Sequence, residues 1–594
     1  MRWVFVALLG ASSLAALSLY GESKPIPHRS PVDLAVLPGG ARALTANQTS
    51  DSVSLIDLAG GKVLAEVACG KQPAAVACSR DGRRAAVANW WSSTVTLLEV
   101  NGEALKVIGE VSAGVYPRGV RFAADGESIF VAASGSDEVL QLDWQNRKIL
   151  HRWPAPREPR DLALSADGKL LAASSTRSGQ VRCWDIESKK LVWERKSDEG
   201  FNLRGLQFTP DGQELVVAHA LRREFPVSQH HIDSGWVIDN RLSKFPLDPK
   251  ARYEHWQLAL DLRGQAVADL HGLAYSPDGK TLAVAASGTH ELVVLEPESL
   301  PWSPGEPGDF IDVSLEIGAH KMKRIDLGGR PLTVAFLDAG RTVAVANYLQ
   351  DAVQIVDVQA GKVVRSIHLG GPQEPSQLRQ GEALFYDAQK SHHQWFSCHT
   401  CHPDGHTCGL RFDTLNDESY GNPKLTPTLR NVGQTAPYTW HGWQEELSAA
   451  VEKSLTETLF GPKPKAEEVQ ALTAFLKTLA HPPNPHREAQ GEASAAIQRG
   501  QSLFEGKARC VRCHKGDLYY SANNYDLKFD DGTRFDLWNP PSLRGLFDRG
   551  PFLHDGRAES LERLLRTLHA AEKLGGEKLT EAERADLEAF LKSL

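Results

Sequence analysis

The chain repeats itself. Seven phrases, VDLAVLPGG, AAVACSRDG, RGVRFAADG, RDLALSADG, RGLQFTPDG, HGLAYSPDG and TVAFLDAG, each run from a short apolar alternation into a turn that ends in glycine. The closing glycines are Gly40, Gly82, Gly126, Gly168, Gly212, Gly279 and Gly340, so the spacing is 42 or 44 residues four times and then stretches to 67 and 61. After each turn come a second strand such as RRAAVAN, ESIFVAAS or RTVAVAN and a third such as SVSLIDL, TVTLLEV or AVQIVDV. A fourth follows a Gly-Lys turn, as in GKVLAEVACG and GKVVRSIHLGG. Asp-Gly turns between period-two runs are hairpin signals. Four short strands per unit, seven times over, predict a seven-bladed β-propeller. One blade cannot bury both faces of its sheet, so the stacked ring is the stable unit.

The phrases VAN...VQIVDVQAGKV and TAN...VSLIDLAGGKV resemble the YVTN family of propeller repeats, over residues 30–371. The resemblance implies the fold and little chemistry, because propellers host many functions. One register stands out: Arg118, Arg160, Arg204 and His271 all open the first strand of a unit. First strands line a propeller's channel, so these side chains form a candidate ligand site for an anion or a carboxylate at one mouth. The competing expectation is that each pairs with an acid of a neighbouring blade. His219, His230 and His231 fall in the insertion of the fifth unit and are read as loop histidines rather than a metal set.

Beyond a Pro/Gln-rich linker at 372–380 the pattern turns helical, in two domains at 381–490 and 491–594. Cys398-His399-Thr400-Cys401-His402 and Cys510-Val511-Arg512-Cys513-His514 are both C-x-x-C-H. Two thiols three positions apart can add to the two vinyl groups of one haem, and the adjacent histidine then lies under the iron. Two haem c groups are therefore expected, held covalently by Cys398, Cys401, Cys510 and Cys513, with His402 and His514 as proximal ligands. Zinc would need four convergent ligands, and helpers do not recur with each motif. The surroundings recur as well: GEALF and GQSLF precede the motifs, and TPTLRNVGQTAPYTWHGWQEEL and NPPSLRGLFDRGPFLHDGRAESL follow them. The offset is 112 from Cys398 to Cys510, 114 from Leu429 to Leu543 and 113 from His441 to His554, the mark of a duplicated module. The expected fold is thus multidomain, an all-β seven-bladed propeller followed by an all-α duplicated cytochrome c-like di-haem part.

The motifs G-x-x-L-F, C-x-x-C-H-P-D-G, T-P-T-L-R-N-V and P-F-L-H-D-G-R make residues 375–594 resemble the di-haem cytochrome c peroxidase superfamily. That resemblance implies electron transfer between two haems, reduction of hydrogen peroxide as an activity, and a redox partner protein such as a small cytochrome or cupredoxin. It also implies a structural Ca²⁺ between the haem modules, for which no ligand set is legible. A methionine sixth ligand gives a high-potential haem, but Met1 and Met322 are the two methionines, both upstream of the motifs. The family's Met position holds Leu553. The distal candidates are His441 and His554, 39 and 40 residues after His402 and His514. The competing roles are a loop tie for His554 with Asp555 and a propionate contact for His441. Reserve candidates are His406, Tyr519, Tyr520 and Tyr525. The proton-moving acid of the peroxidases falls on Ser448, with Glu445 and Glu446 a turn away. Trp395, Trp440, Trp443 and Trp538 are candidates for packing or for an electron relay.

One Arg, then an apolar run from Trp3 to Leu19 within residues 1–21, reads as a signal peptide, with an uncleaved membrane anchor as the alternative, so the expected compartment is the periplasm, with association at the outer surface as the variant. Haem c attachment outside the cytoplasm agrees. No later run of 18 apolar residues exists, so no membrane span is expected in the mature chain. A formal net charge of −8 with no basic domain excludes nucleic acid as a partner. Cys69 and Cys78 are either a disulfide across a loop or two buried thiols. Three functions remain open: a peroxidase-like oxidoreductase, a pure electron carrier with two six-coordinate bis-His haems and the propeller as a docking platform, and a propeller-based binding protein that delivers substrate electrons to the haems.

Overall fold

The structure, a computed structural model, describes residues 27–594 apart from 198, 306–309, 319–320, 416–417, 489 and 528–535. The signal-peptide expectation over 1–21 lies outside them. Residues 31–368 form seven antiparallel sheets with strands in sequence order, six of four strands and one of five. The innermost strands, from Pro31–Val36 through Pro73–Cys78, Pro117–Phe122, Pro159–Leu164, Gly200–Phe208 and Leu270–Tyr275 to Pro331–Phe336, neighbour one another around a ring. Five begin with proline, which is tolerated at the first position of a strand.

The repeated turn has a physical cause. Ser79, Ser165, Thr209 and Ser276 each donate a hydroxyl hydrogen bond, 2.6 Å long, to the Asp two residues on. The next residue is a glycine at φ near +70°, a conformation that costs other residues a Cβ clash. Second and third strands are almost wholly buried between blades, whereas the outer fourth strand is half exposed. Blade-to-blade packing, as between Leu37, Leu44, Val76 and Leu98, supplies the core.

The first and last blades share no strand. Their seam is closed by side chains: Asp351 accepts from the Ser30 N–H at 2.7 Å and pairs with His28 at 2.5 Å, while Thr333 donates to Asp33. The fifth blade is extended by the insertion, its strands Glu214–Arg222 and Ile238–Pro246 flanking a short helix, Gln229–Asp233. His219 is not a loop histidine; it is fully buried in that blade, with Nε2 2.7 Å from the Ser243 hydroxyl. Cys69 and Cys78 are not joined by a disulfide.

The C-terminal region is helical in part only, which corrects the all-α expectation. Helices Gln377–Phe385 and Ala466–Leu476 pair in the first copy, and Glu492–Glu505 and Glu581–Ser593 in the second. Between them run long irregular stretches and two small ladders, Arg411–Phe412 with Lys424–Leu425 and Tyr525–Asp526 with Leu537–Trp538. The reason is composition: proline and glycine crowd the segments that wall the cavity, and neither continues a helix. The duplication is plain in detail. The bridge Tyr438–Gln444 recurs as Phe552–Ala558, and the π-turn Ser454–Thr458 as Leu564–Leu568. The glycine of each G-x-x-L-F motif sits where a Cβ would lie 1.9 Å from the Ala471 carbonyl (Gly381) or 2.0 Å from that of Asp586 (Gly500). Among the described residues no helix is long and apolar enough to cross a membrane.

Candidate functional site

The first C-x-x-C-H motif is inserted into the mouth of the propeller. Cys398–Cys401 is a single helical turn with a capping box, the Ser397 hydroxyl accepting from the His399 N–H and the Thr400 hydroxyl from the Ser397 N–H. Both hydroxyls donate onward to the carboxylate of Asp269, which precedes the inner strand of the sixth blade, at 2.5 and 2.6 Å. Burial alone would raise the Asp269 carboxyl; the contacts with His399, Ser397 and Thr400 more than offset it and hold it below the usual range. His399 accepts from Arg330 at 3.3 Å, and Asn202 donates to the Thr400 carbonyl.

Two residues past His402, Asp404 meets the sequence-predicted arginine cluster. Arg118 and Arg160 each reach its Oδ2 at 2.9 Å. Burial raises the Asp404 carboxyl, but Arg118, Arg160 and Arg204 outweigh it and hold it well below the ordinary value. Arg118 also lies over the Trp90 ring, 3.4 Å from its centroid. Arg204 is fully buried, and burial drives His271 well below its normal range, so it is neutral. The register therefore does cluster at one mouth, but the carboxylate it meets belongs to the same chain rather than to a free ligand or a neighbouring blade.

Both motifs line one apolar cavity of about 490 Å³. His402 Nδ1 lies 3.2 Å from the His406 carbonyl and His514 Nδ1 3.1 Å from that of Tyr519. An Nδ1–H donated to a carbonyl leaves Nε2 with its lone pair, the tautomer a metal ligand needs. Burial pushes both imidazoles down to about 4, so they are neutral at pH 7. Burial likewise raises the Cys398 and Cys510 thiols to about 12. Lys424, Arg430 and Arg549 also line the cavity and are the cations that would face haem propionates, although Arg430 also pairs with Asp548 at 3.0 Å. The donor set, the apolar walls and the cations fit a pair of haem c groups.

His441 and His554 line the same cavity, and both are buried. Trp538 lies between them, its ring 4.6 Å from His441 and stacked on His554 at 3.6 Å. Trp440 donates from its indole to the Leu425 carbonyl, Trp443 is partly exposed against His441, and Trp395 packs on Phe310 outside the cavity. Ser448, Glu445 and Glu446 are exposed, and among the described residues no carboxylate lines the cavity. Of the reserve positions, Tyr520 lines it, whereas His406 faces Thr428 and Asp548. Met322 is buried in the sixth blade. The expected Ca²⁺ finds no support, as the described residues hold no acidic cluster with ligand spacing between the modules. The sequence reading missed His569. It is half-buried, lines the cavity, and its ring centroid is 6.5 Å from that of His514.

Fold and site together define a propeller-bearing di-haem c-type cytochrome. Residues 375–491 match the family model of di-haem cytochrome c peroxidase, and residues 49–192 match that of the cytochrome D1 heme domain. The chain is similar to methylamine utilization protein MauG of Methylorubrum extorquens, 28% identical over 288 residues that cover 38% of this chain and 79% of that one. It is similar to hydrazine synthase subunit gamma of Kuenenia stuttgartiensis, 26% identical over 36% of this chain and 77% of that one. Cytochrome c551 peroxidase of Nitrosomonas europaea is 22% identical over 40% and 84%. The solved Kuenenia stuttgartiensis hydrazine synthase superposes with a TM-score of 0.52 at 26% identity, covering 57% of this chain and 98% of that one. The chain is a di-haem cytochrome with redox activity of the peroxidase-like kind.

Proposed function

We propose that the protein is a periplasmic peroxidase-like oxidoreductase in which His402 serves an open, reactive centre and His514 a closed electron-transfer centre. Cys398 and Cys401 attach one haem, and Cys510 and Cys513 the other. Haem c supplies one-electron iron chemistry at each site. The observation that carries the reading is the asymmetry of the two proximal histidines. Two imidazoles bound at about 2 Å to one iron put their centroids roughly 6 Å apart, and His514 and His569 stand at 6.5 Å. His402 has no described aromatic or imidazole ring at that spacing. His569 would therefore be the residue to hold the sixth position at the second centre, and His441 and His554 would pack on Trp538. The reaction balances as hydrogen peroxide plus two protons and two electrons giving two waters, the electrons arriving singly from a small redox protein.

A second reading, electron transfer without peroxide chemistry, is favoured by one observation: no described carboxylate lines the cavity to move the protons. Low-temperature EPR of the oxidised and half-reduced protein separates the two. A high-spin ferric signal in either state supports the open centre; low-spin ferric signals alone in both states, from two haems when oxidised and from the one still ferric when half-reduced, make the protein a carrier. Serine at Cys398 and Cys401, or at Cys510 and Cys513, is expected to lower the covalent haem count by one, and an unchanged count overturns the attachment.

A further inference from the structure

His392 and His393 are consecutive residues, and consecutive side chains on regular backbone point apart. Here His393 adopts the left-handed region, φ +55°, and the two rings stack with centroids 3.9 Å apart at 21°. Both converge on one atom, Asp233 Oδ1, with His392 Nε2 at 2.8 Å and His393 Nδ1 at 3.1 Å. The His393 contact is not a hydrogen bond: its Nδ1 is shielded from solvent and has no hydrogen-bond partner.

We propose that Asp233, His392 and His393 form a binding site for a divalent transition-metal cation of the zinc type. The three donor atoms all lie within 4.8 Å of one another. Bonds of about 2.1 Å in tetrahedral geometry need donors roughly 3.4 Å apart, which the observed 2.8 and 3.1 Å approach closely. Two imidazoles and one carboxylate suit Zn²⁺ or Cu²⁺, whereas Ca²⁺ and Mg²⁺ take oxygen ligands. The side chains are 50, 24 and 33% exposed, which leaves the remaining coordination position to water. The backbone holds the donors in place without the ion: the His392 N–H donates to the Leu459 carbonyl, and the His393 carbonyl accepts from Ala266. The site joins chain segments 159 residues apart, the helix of the fifth-blade insertion and the segment that leads into Cys398. A bound cation fastens the propeller to the first haem module from outside the cavity.

The test is calorimetric titration of ZnCl₂ into the chelator-treated, fully haem-loaded protein, with zinc-edge X-ray absorption on the product. One equivalent is expected in the micromolar range, with a first shell of two imidazoles. Asp233→Asn, His392→Asn and His393→Asn are each expected to weaken it by roughly tenfold or more, with unchanged haem absorption showing that the variants fold. Uptake of no zinc by the wild type, wild-type affinity in the triple variant, or a shell without two imidazoles overturns the site.

Discussion

Asp404 of the first haem module receives Arg118 and Arg160 of the propeller at one carboxylate oxygen, each at 2.9 Å. The three residues come from two blades and from the turn just past His402, so a charge beside one haem site is set by a separate domain. Asp404→Asn leaves one buried guanidinium, Arg118, and one half-buried, Arg160, without their counter-charge. Breaking a buried pair from one side costs about 3–5 kcal/mol, so thermal unfolding should shift well below wild type. Arg118→Met with Asp404→Asn should recover part of the loss; equal melting of wild type and single variant would refute the latch. Since the folded carboxyl is held below its unfolded value of 3.8, its contribution is complete above about pH 4 and is lost only as pH falls through the lower folded value.

His569 is expected to govern the spin state of the second centre. In His569→Ala the low-spin ferric EPR signal of that centre should convert to high spin, while His441→Ala and His554→Ala leave it in place. Loss of the signal in His554→Ala but not in His569→Ala would reverse the assignment.

Gly381 and Gly500 do the same work in the two copies. Alanine at either would force a Cβ to about 2 Å from a backbone carbonyl of the partner helix, a clash with no flexible side chain to yield. Overpacking of this kind costs about 1–3 kcal/mol or more. Denaturant unfolding should show the loss separately in each variant, and a stability unchanged in both would contradict the close helix contact.

His219 makes the propeller acid-sensitive. Burial lowers it to about 4, against 6.5 in the unfolded chain. Above pH 6.5 neither state is protonated and its contribution is complete. Between 6.5 and 4 the unfolded chain gains a proton that the folded one refuses, so stability falls with pH, by about 2–3 kcal/mol at pH 4.5. His219→Gln should flatten that slope between pH 7.5 and 4.5; an unaltered slope would assign it to other groups.

The blades were legible because each unit repeats its turn, from Ser79 and Asp81 to Ser276 and Asp278, and repetition separates signal from chance. The haem motifs were legible because thiol spacing is dictated by the porphyrin. His569 was hidden because it does not recur in both copies: Leu459 occupies its place after the first π-turn. The arginines were legible as a cluster, but their partner lies 244 residues from Arg160 and no local pattern announces it. The C-terminal helices were over-read because amphipathic runs were extended into segments whose prolines and glycines wall a cavity.

The seam between the first and last blades carries a consequence for how the chain comes to be folded. Arg379, in the first helix of the haem module, donates to the Ser30 hydroxyl and to the Tyr348 carbonyl, and it pairs with Asp351. The ring is therefore buttoned from outside by a residue that follows the propeller in the chain. A ribosome or a translocation pore delivers all seven blades before it delivers the button, and Cys398 arrives 19 residues after that. Closing of the ring and loading of the first haem are thus neighbouring events in time, and the latter half of the molecule acts as the last fastener of the former.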